Sequence, residues 1–241
     1  MSLINKFFSI SKNLEDKLSS FKSLKKTKAI LQLFSAIESY SENSEIRYVG
    51  GCVRKALNNE VLDDIDLAVN LKPNECIEAL NKNNIKFYET GIKHGTITAI
   101  IGNHKFEITS LRKDLNTDGR HAEVSFSNSW HEDASRRDFT INSIYADING
   151  NLFDPFDGKE DLENGKINFI GDPEKRIKED YLRILRYIRF FINYSKQPHD
   201  DKIQRLIKKN LVGIPNISTE RMLDEFKKII NSPKFLKLFK D

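Results

Sequence analysis

The chain has 241 residues, of which 39% are apolar and 31% charged, and carries a formal net charge of +4 with an isoelectric point near 8.8. That length can bury a self-sufficient core, and its two cysteines, Cys52 and Cys76, lack the spacing of a disulfide framework or a zinc site, which fits a reducing compartment. A mean hydropathy of −0.52, with no uncharged apolar stretch of the roughly 18 residues a spanning helix needs, argues against a helical membrane protein and for a soluble, cytoplasmic one.

Residues 1–40 mix apolar residues with both charge signs, lack the apolar run of a secretory leader, and read as helix. From Ile46 to about Asp157 short β-type runs dominate: IRYVG, DIDLAV, TITAII, KFEITSL and AEVSF, separated by Gly, Asn and Asp turns. Between them, residues 55–58 and 74–83 read as helices, the second preceded by Pro73 at a position where a first helical turn tolerates it. The polar stretch from Arg112 to Ala122, with Gly119, reads as a flexible loop. After Gly171-Asp172-Pro173, the run EKRIKEDYLRILRYIRFFIN places Ile177, Tyr181, Ile184, Leu185 and Ile188 on one face of a single helix, and KIQRLIKKNL and STERMLDEFKKIIN continue helically. The predicted fold is therefore α+β: a mixed sheet with helices over residues 1–165, then an all-helical domain over 166–241. From Lys196 to Asp241 eleven Lys/Arg stand against six Asp/Glu, a surplus that suits either a phosphate backbone or a solvated helical surface.

Three constellations carry chemistry. Gly50-Gly51-Cys52-Val53-Arg54 stands where a strand gives way to a helix: bare backbone there lets N–H groups approach a phosphate, the helix start favours anions, and Arg54 can clamp them. A tight turn would need the same glycines. In Asp63-Asp64-Ile65-Asp66, a strand points Asp64 and Asp66 to one face; two such carboxylates suit a hard cation such as Mg²⁺, or else mark a solvated strand end. Glu107, flanked by Phe106 and Ile108, becomes a third carboxylate of a two-metal phosphoryl-transfer site if its strand lies beside that of Asp66. His94 and His121 sit in turn contexts, and Trp130 reads as core or a packing cap.

On helical spacing Asp180 and Arg183 share a face, where they could meet a base edge as acceptor and donor or form an ordinary salt bridge. Arg183, Arg186 and Arg189 make a basic stripe suited to a polyphosphate.

The order GGCVR, DIDLAV, GIKHGT, FEITSLRKD, DGRHAEV, RRDFTINSI, DPFDG, EDYLRILRYIRF and ISTERMLDEFKKII resembles the bacterial-type, class II tRNA nucleotidyltransferases, the CCA-adding enzymes, from about Arg47 to Ile230. The resemblance implies a polymerase-beta-type head followed by a helical neck, and addition of C and A to tRNA 3′ ends from CTP and ATP. It implies that Asp64 and Asp66 bind the metals, that Gly51, Arg54, Arg137 and Asn142 bind the nucleotide, and that Asp180 and Arg183, oriented by Glu179, select CTP or ATP while Arg186 and Arg189 reach phosphates. The loop from Arg112 to Ala122 would help switch specificity from C to A. The family continues past the neck into helical domains that grip tRNA, which leaves three readings: a fragment of a longer enzyme, a natural short form, or half of a split system whose partner is a second chain supplying that part. A bacterial poly(A) polymerase shares this head; partial CC-only or A-only addition, and an inactive RNA-binding module of the same fold, are the other readings.

Overall fold

The computed structural model describes residues 27–62, 64–117 and 122–235. The helix expected before residue 27 and the loop tip with Gly119 and His121 lie outside them. The described chain forms two compact units that interleave along the sequence: the parts up to 113, 126–134 and 144–155 make the first, and 114–125, 135–143 and 156–235 belong to the second.

The first unit is built on one sheet. Helix α1 (Lys28–Glu38) buries Ile30, Leu33, Phe34 and Ile37, a spacing that repeats with the helical turn. Strand β1 (Ile46–Val49) runs through Gly50 into α2 (Gly51–Leu57), and β2 (Asp66–Val69) follows. Helix α3 (Pro73–Lys82) opens with its proline in the first turn and with Glu75 accepting a 2.7 Å hydrogen bond from the Lys72 N–H. It packs on α1 and on β3 (Lys86–Gly91) and β4 (Thr96–Ile101), after which β5 (His104–Ser110) returns along the sheet. The polar stretch expected to be a loop instead contributes a strand: β6 (Arg112–Thr117) pairs with β7 (Ala122–Phe126) in a separate two-stranded sheet. The short helix α4 (Trp130–Ser135) and strands β8 (Tyr145–Ala146) and β9 (Leu152–Phe153) complete these elements. Trp130 is half-buried, packed edge-on to Tyr145 with the Arg47 guanidinium 4.3 Å above its ring.

The sheet order is β3-β4-β5-β2-β1-β8-β9. Among the described residues β2 with β5 is its one parallel pairing, so the sheet is mixed, as expected. Strand β2 lies fourth of seven, paired along both edges, and Leu67, Ala68 and Val69 are buried in succession rather than alternately.

The second unit is helical: α5 (Gly158–Asn164), α6 (Pro173–Glu179), α7 (Leu182–Tyr194), α8 (Asp201–Asn210), a 3₁₀ turn over Leu211–Asn216, and α9 (Thr219–Ile230). The run expected as one helix across residues 174–193 is two. Asp180 takes an extended backbone (φ −155°, ψ 104°), its carboxylate accepts from the Leu182 N–H at 3.2 Å and its carbonyl from the Arg183 N–H at 3.0 Å, so it closes α6 just ahead of Tyr181, the N-cap of α7. Helices α7 and α9 share a core of Leu182, Leu185, Ile217 and Ile229, and Phe139, Phe169, Tyr187 and Phe190 form an aromatic cluster. Each fully buried side chain of this size is worth about 1.5–3 kcal/mol.

Candidate functional site

In the first unit the chain turns sharply from β1 into α2. Gly50 sits at φ 66°, ψ −118°, a conformation that side chains resist, and its N–H donates to the Ile144 carbonyl at 3.3 Å. Gly51 is different. A Cβ added there would meet only the Arg54 Nη2 atom, at 3.9 Å, so packing does not demand glycine; its bareness leaves room for an incoming group beside the buried Arg54. Cys52, next along α2, donates through Sγ to the Val49 carbonyl at 3.2 Å and to the Asp66 carbonyl at 3.5 Å, which ties the glycine turn to the acidic strand. Burial pushes this thiol up to about 11, so it packs as a small neutral group.

Asp64 and Asp66 are both exposed, with the half-buried Ile65 between them. Asp66 opens β2 and is in register with Glu107 of β5, whose neighbours Phe106 and Ile108 are buried while Glu107 faces solvent. In a parallel pair, residues in register project to the same side. The strand adjacency on which the role of Glu107 depends is therefore present. Asp64, however, precedes β2 and stands outside the paired register, and among the described residues no group of three His, Cys, Asp or Glu side chains converges tightly enough to hold a metal ion. The donor set itself, exposed carboxylates on a central strand, matches the oxygen ligands that Mg²⁺ prefers.

In the second unit the expected residues gather around acids that sequence reasoning left out. Asp138 accepts from Arg186 Nε at 2.6 Å, with Arg186 Nη2 also 2.6 Å from the same oxygen, while its other oxygen accepts from the Asn142 amide and the Phe139 N–H, both at 2.9 Å. Burial works to raise this carboxyl's pKa, but the Arg186 charge and these hydrogen bonds outweigh it and hold the group below the usual carboxylate range. Arg186 is correspondingly raised: burial alone would lower it, and Asp138 and Glu225 overcome that. Arg189 donates to the buried Glu225 at 2.5 Å. Both arginines assigned to phosphates are thus engaged with carboxylates of their own unit.

The base-reading pair is also rearranged. The side chains of Asp180 and Arg183 are not paired with each other, and the two residues do not lie on one continuous helix. Glu179 accepts from Arg176 at 2.5 Å and from Arg183 at 2.7 Å, and Arg183 donates further to the Arg176 carbonyl at 2.7 Å. Arg176 also donates to the carbonyls of Arg136 and Arg137 at 2.5 and 2.6 Å. Asp180 accepts from Arg221 of α9 at 2.7 Å. An intrahelical Asp180–Arg183 salt bridge is accordingly absent, and each side chain is aimed by a different partner. Asp138, Arg176, Arg221 and Glu225 could have been suspected from their places in RRDFTIN, EKRIKED and STERMLDE, but only the fold reveals whom they meet.

A family model for the poly A polymerase head domain matches residues 46–168. The human mitochondrial CCA tRNA nucleotidyltransferase 1 is 46% identical over 206 residues, covering 84% of this chain and 46% of that protein. The CCA-adding enzyme of Lactobacillus helveticus is 38% identical, covering 77% of this chain and 46% of its own length. In three dimensions the Bacillus stearothermophilus CCA-adding enzyme in complex with CTP superposes with a TM-score of 0.76 at 29% identity, over 87% of this chain and 50% of that one. The chain spans about half the length of the relatives it matches. With more than half of its residues within that match, and a mixed-sheet head of the polymerase-beta type ahead of a helical segment, the chain belongs to the poly A polymerase head domain family.

Proposed function

We propose that this chain adds C and A nucleotides to tRNA 3′ ends from CTP and ATP. One observation carries the catalytic half of that reading: the register of Asp66 with Glu107 on adjacent parallel strands, joined through Cys52 to the Gly50-Gly51 turn. The printed activity of the relatives supplies the substrate class. We also read residues 1–165 as the head and 166–241 as the neck.

Asp64 and Asp66 would hold divalent cations, with Mg²⁺ favoured by the oxygen donors and Glu107 beside them. Bound there, the metal would neutralise triphosphate charge and lower the pKa of the attacking 3′-hydroxyl. The protein's own share is placement. The Gly51 backbone and Arg54 receive the phosphates, so that the hydroxyl meets the α-phosphorus in line and pyrophosphate leaves opposite. The Asp180 carboxylate, paired with Arg221, offers acceptors to a base, and Arg183 offers only donors. Cytosine and adenine both present an exocyclic amino donor next to a ring-nitrogen acceptor and satisfy the pair. Uracil and guanine present a carbonyl and an N–H, which leaves both protein groups mismatched. Asn142 and Arg186 act through Asp138, Arg189 through Glu225, as braces for these elements, and Arg137 contacts the nucleotide. The tRNA body would be gripped by a further segment or second chain corresponding to the relatives' unmatched half. A cytoplasmic setting belongs to the same proposal and rests on the two free, buried cysteines.

The test is incorporation of labelled CTP, ATP and UTP into tRNA lacking its terminal CCA, with Mg²⁺ or with EDTA, followed by product sequencing. CCA made only with Mg²⁺, and lost by at least about a hundredfold in Asp66→Ala with folding intact, is expected of a residue that holds the catalytic charge. Runs of A alone would favour a poly(A) polymerase, and undiminished turnover of Asp66→Ala would remove the metal assignment.

A further inference from the structure

The break between α6 and α7 is tied at three successive side chains. Glu179 is held by Arg176 and Arg183, and Asp180 by Arg221 and the Leu182 N–H. The third tie has no polar atom. Tyr181 lies so close to Gly213 that a Cβ added there would stand 2.1 Å from the tyrosine Cε1, 2.2 Å from Cδ1 and 2.3 Å from Cζ. Gly213 is buried in the 3₁₀ turn and does not have a positive φ, so space, not backbone conformation, is what requires glycine. Tyr181 is half-buried and packs with Ile214 against the core of Leu182, Leu185, Ile217 and Ile229, so a Cβ at Gly213 would force the ring off that core or shift the backbone that carries it.

That backbone belongs to the N-cap of α7, directly after Asp180 and two residues before Arg183. A shift at Tyr181 therefore turns the acceptor and the donor relative to each other, while the phosphate-binding turn of the first unit is untouched. We propose that Tyr181 and Gly213 form a positioning pair that sets base discrimination: the ring seated on the bare backbone fixes the angle of the break, and with it the mutual aim of Asp180 and Arg183. The inference rests on the base-reading role proposed above and extends it to two residues that need not touch the nucleotide.

Direct binding of CTP, ATP and UTP to the whole chain, measured by calorimetry, tests it without requiring turnover. The wild type should prefer CTP and ATP to UTP. In Gly213→Ala the CTP/UTP affinity ratio should fall by about tenfold or more, through weaker CTP binding, with UTP within about threefold of wild type, because a small misplacement of paired groups erases their selectivity but not the triphosphate contacts. Tyr181→Ala, which removes the ring without a clash, should lower the ratio similarly, and adding Gly213→Ala to it should change little further, since the contact is already gone. Should Gly213→Ala fail to fold, Tyr181→Ala decides alone. A wild type that binds UTP as well as CTP overturns the base-reading role and this inference with it. A discriminating wild type whose ratio survives in the folded variants overturns this inference alone.

Discussion

Asp138 is a carboxylate kept charged where water hardly reaches it, and its worth lies in what it prevents. With its side chain 10% exposed and that of Arg186 30%, the pair is sheltered enough that removing one charge strands the other. Asp138→Asn should therefore destabilise the fold by about 3 kcal/mol, read from the urea midpoint, since breaking a buried pair leaves an uncompensated charge. The pH dependence follows from the same group. Its pKa is lower folded than unfolded, so the unfolded chain binds more protons in acid: the pair stabilises above about pH 4 and the contribution is lost as pH falls through the folded value. Urea midpoints between pH 6 and 3 should fall more steeply for the wild type than for Asp138→Asn. In the sequence, the glycine turn between β1 and α2 was legible because it is a local rule of backbone geometry, whereas the strand rule applied to Asp64 and Asp66 reaches only Asp66, where β2 begins. Asp138 was not legible, because its partner Arg186 is distant along the chain and nothing local tells a buried acid from a surface one.

Between α6 and α7 the elements show why one helix was expected and two formed. The apolar spacing at Ile177, Tyr181, Ile184 and Leu185 keeps helical phase across the break, because both helices bury residues toward the same unit. The interruption is made by Asp180 acting as a cap, and on a helical pattern a capping acid is indistinguishable from another polar residue. The strands TITAII and AEVSF were recovered to the residue, their β-branched and aromatic composition agreeing with their place in the sheets. The edge strand β3 carries Phe87, Tyr88 and Thr90 but is largely exposed, without a buried face to set an alternation, and β8 and β9 are two residues each, too short to show a period. Helix α7 is held to α9 by Arg189 and Glu225, with Glu225 nearly inaccessible. Arg189→Met should cost about 3 kcal/mol in thermal or chemical unfolding, whereas Arg189→Met with Glu225→Met should recover most of it, since a packed apolar pair can replace a buried ionic one. A double variant no better than the single would show that the carboxylate is satisfied by other partners.

For the whole molecule, the two units do not follow a single cut in the sequence, and the segments that pass between them, 114–125 and 135–143, show no change of composition that would announce it. The basic surplus after Lys196 was legible from counting, and the structure places Lys202, Arg205 and Lys208 exposed on α8. If they meet phosphates, changing all three to Gln should weaken tRNA binding alike for all tRNA sequences and reduce the slope of log affinity against log salt by about 2–3, readable by fluorescence anisotropy. An unaltered slope would assign that face to solvent. The parallel pairing of β2 with β5 also sets an order of events during synthesis. A nascent chain completes β1, the glycine turn and β2 early, but the strand bearing Glu107 emerges only after α3, β3 and β4 have been made. Until then β2 presents an unpaired edge and the apolar run Leu67-Ala68-Val69, a template for the wrong neighbour. Stalling the ribosome before residue 110 is visible should therefore leave the most aggregation-prone form of the chain, and closure by β5 both completes the carboxylate row and removes that hazard.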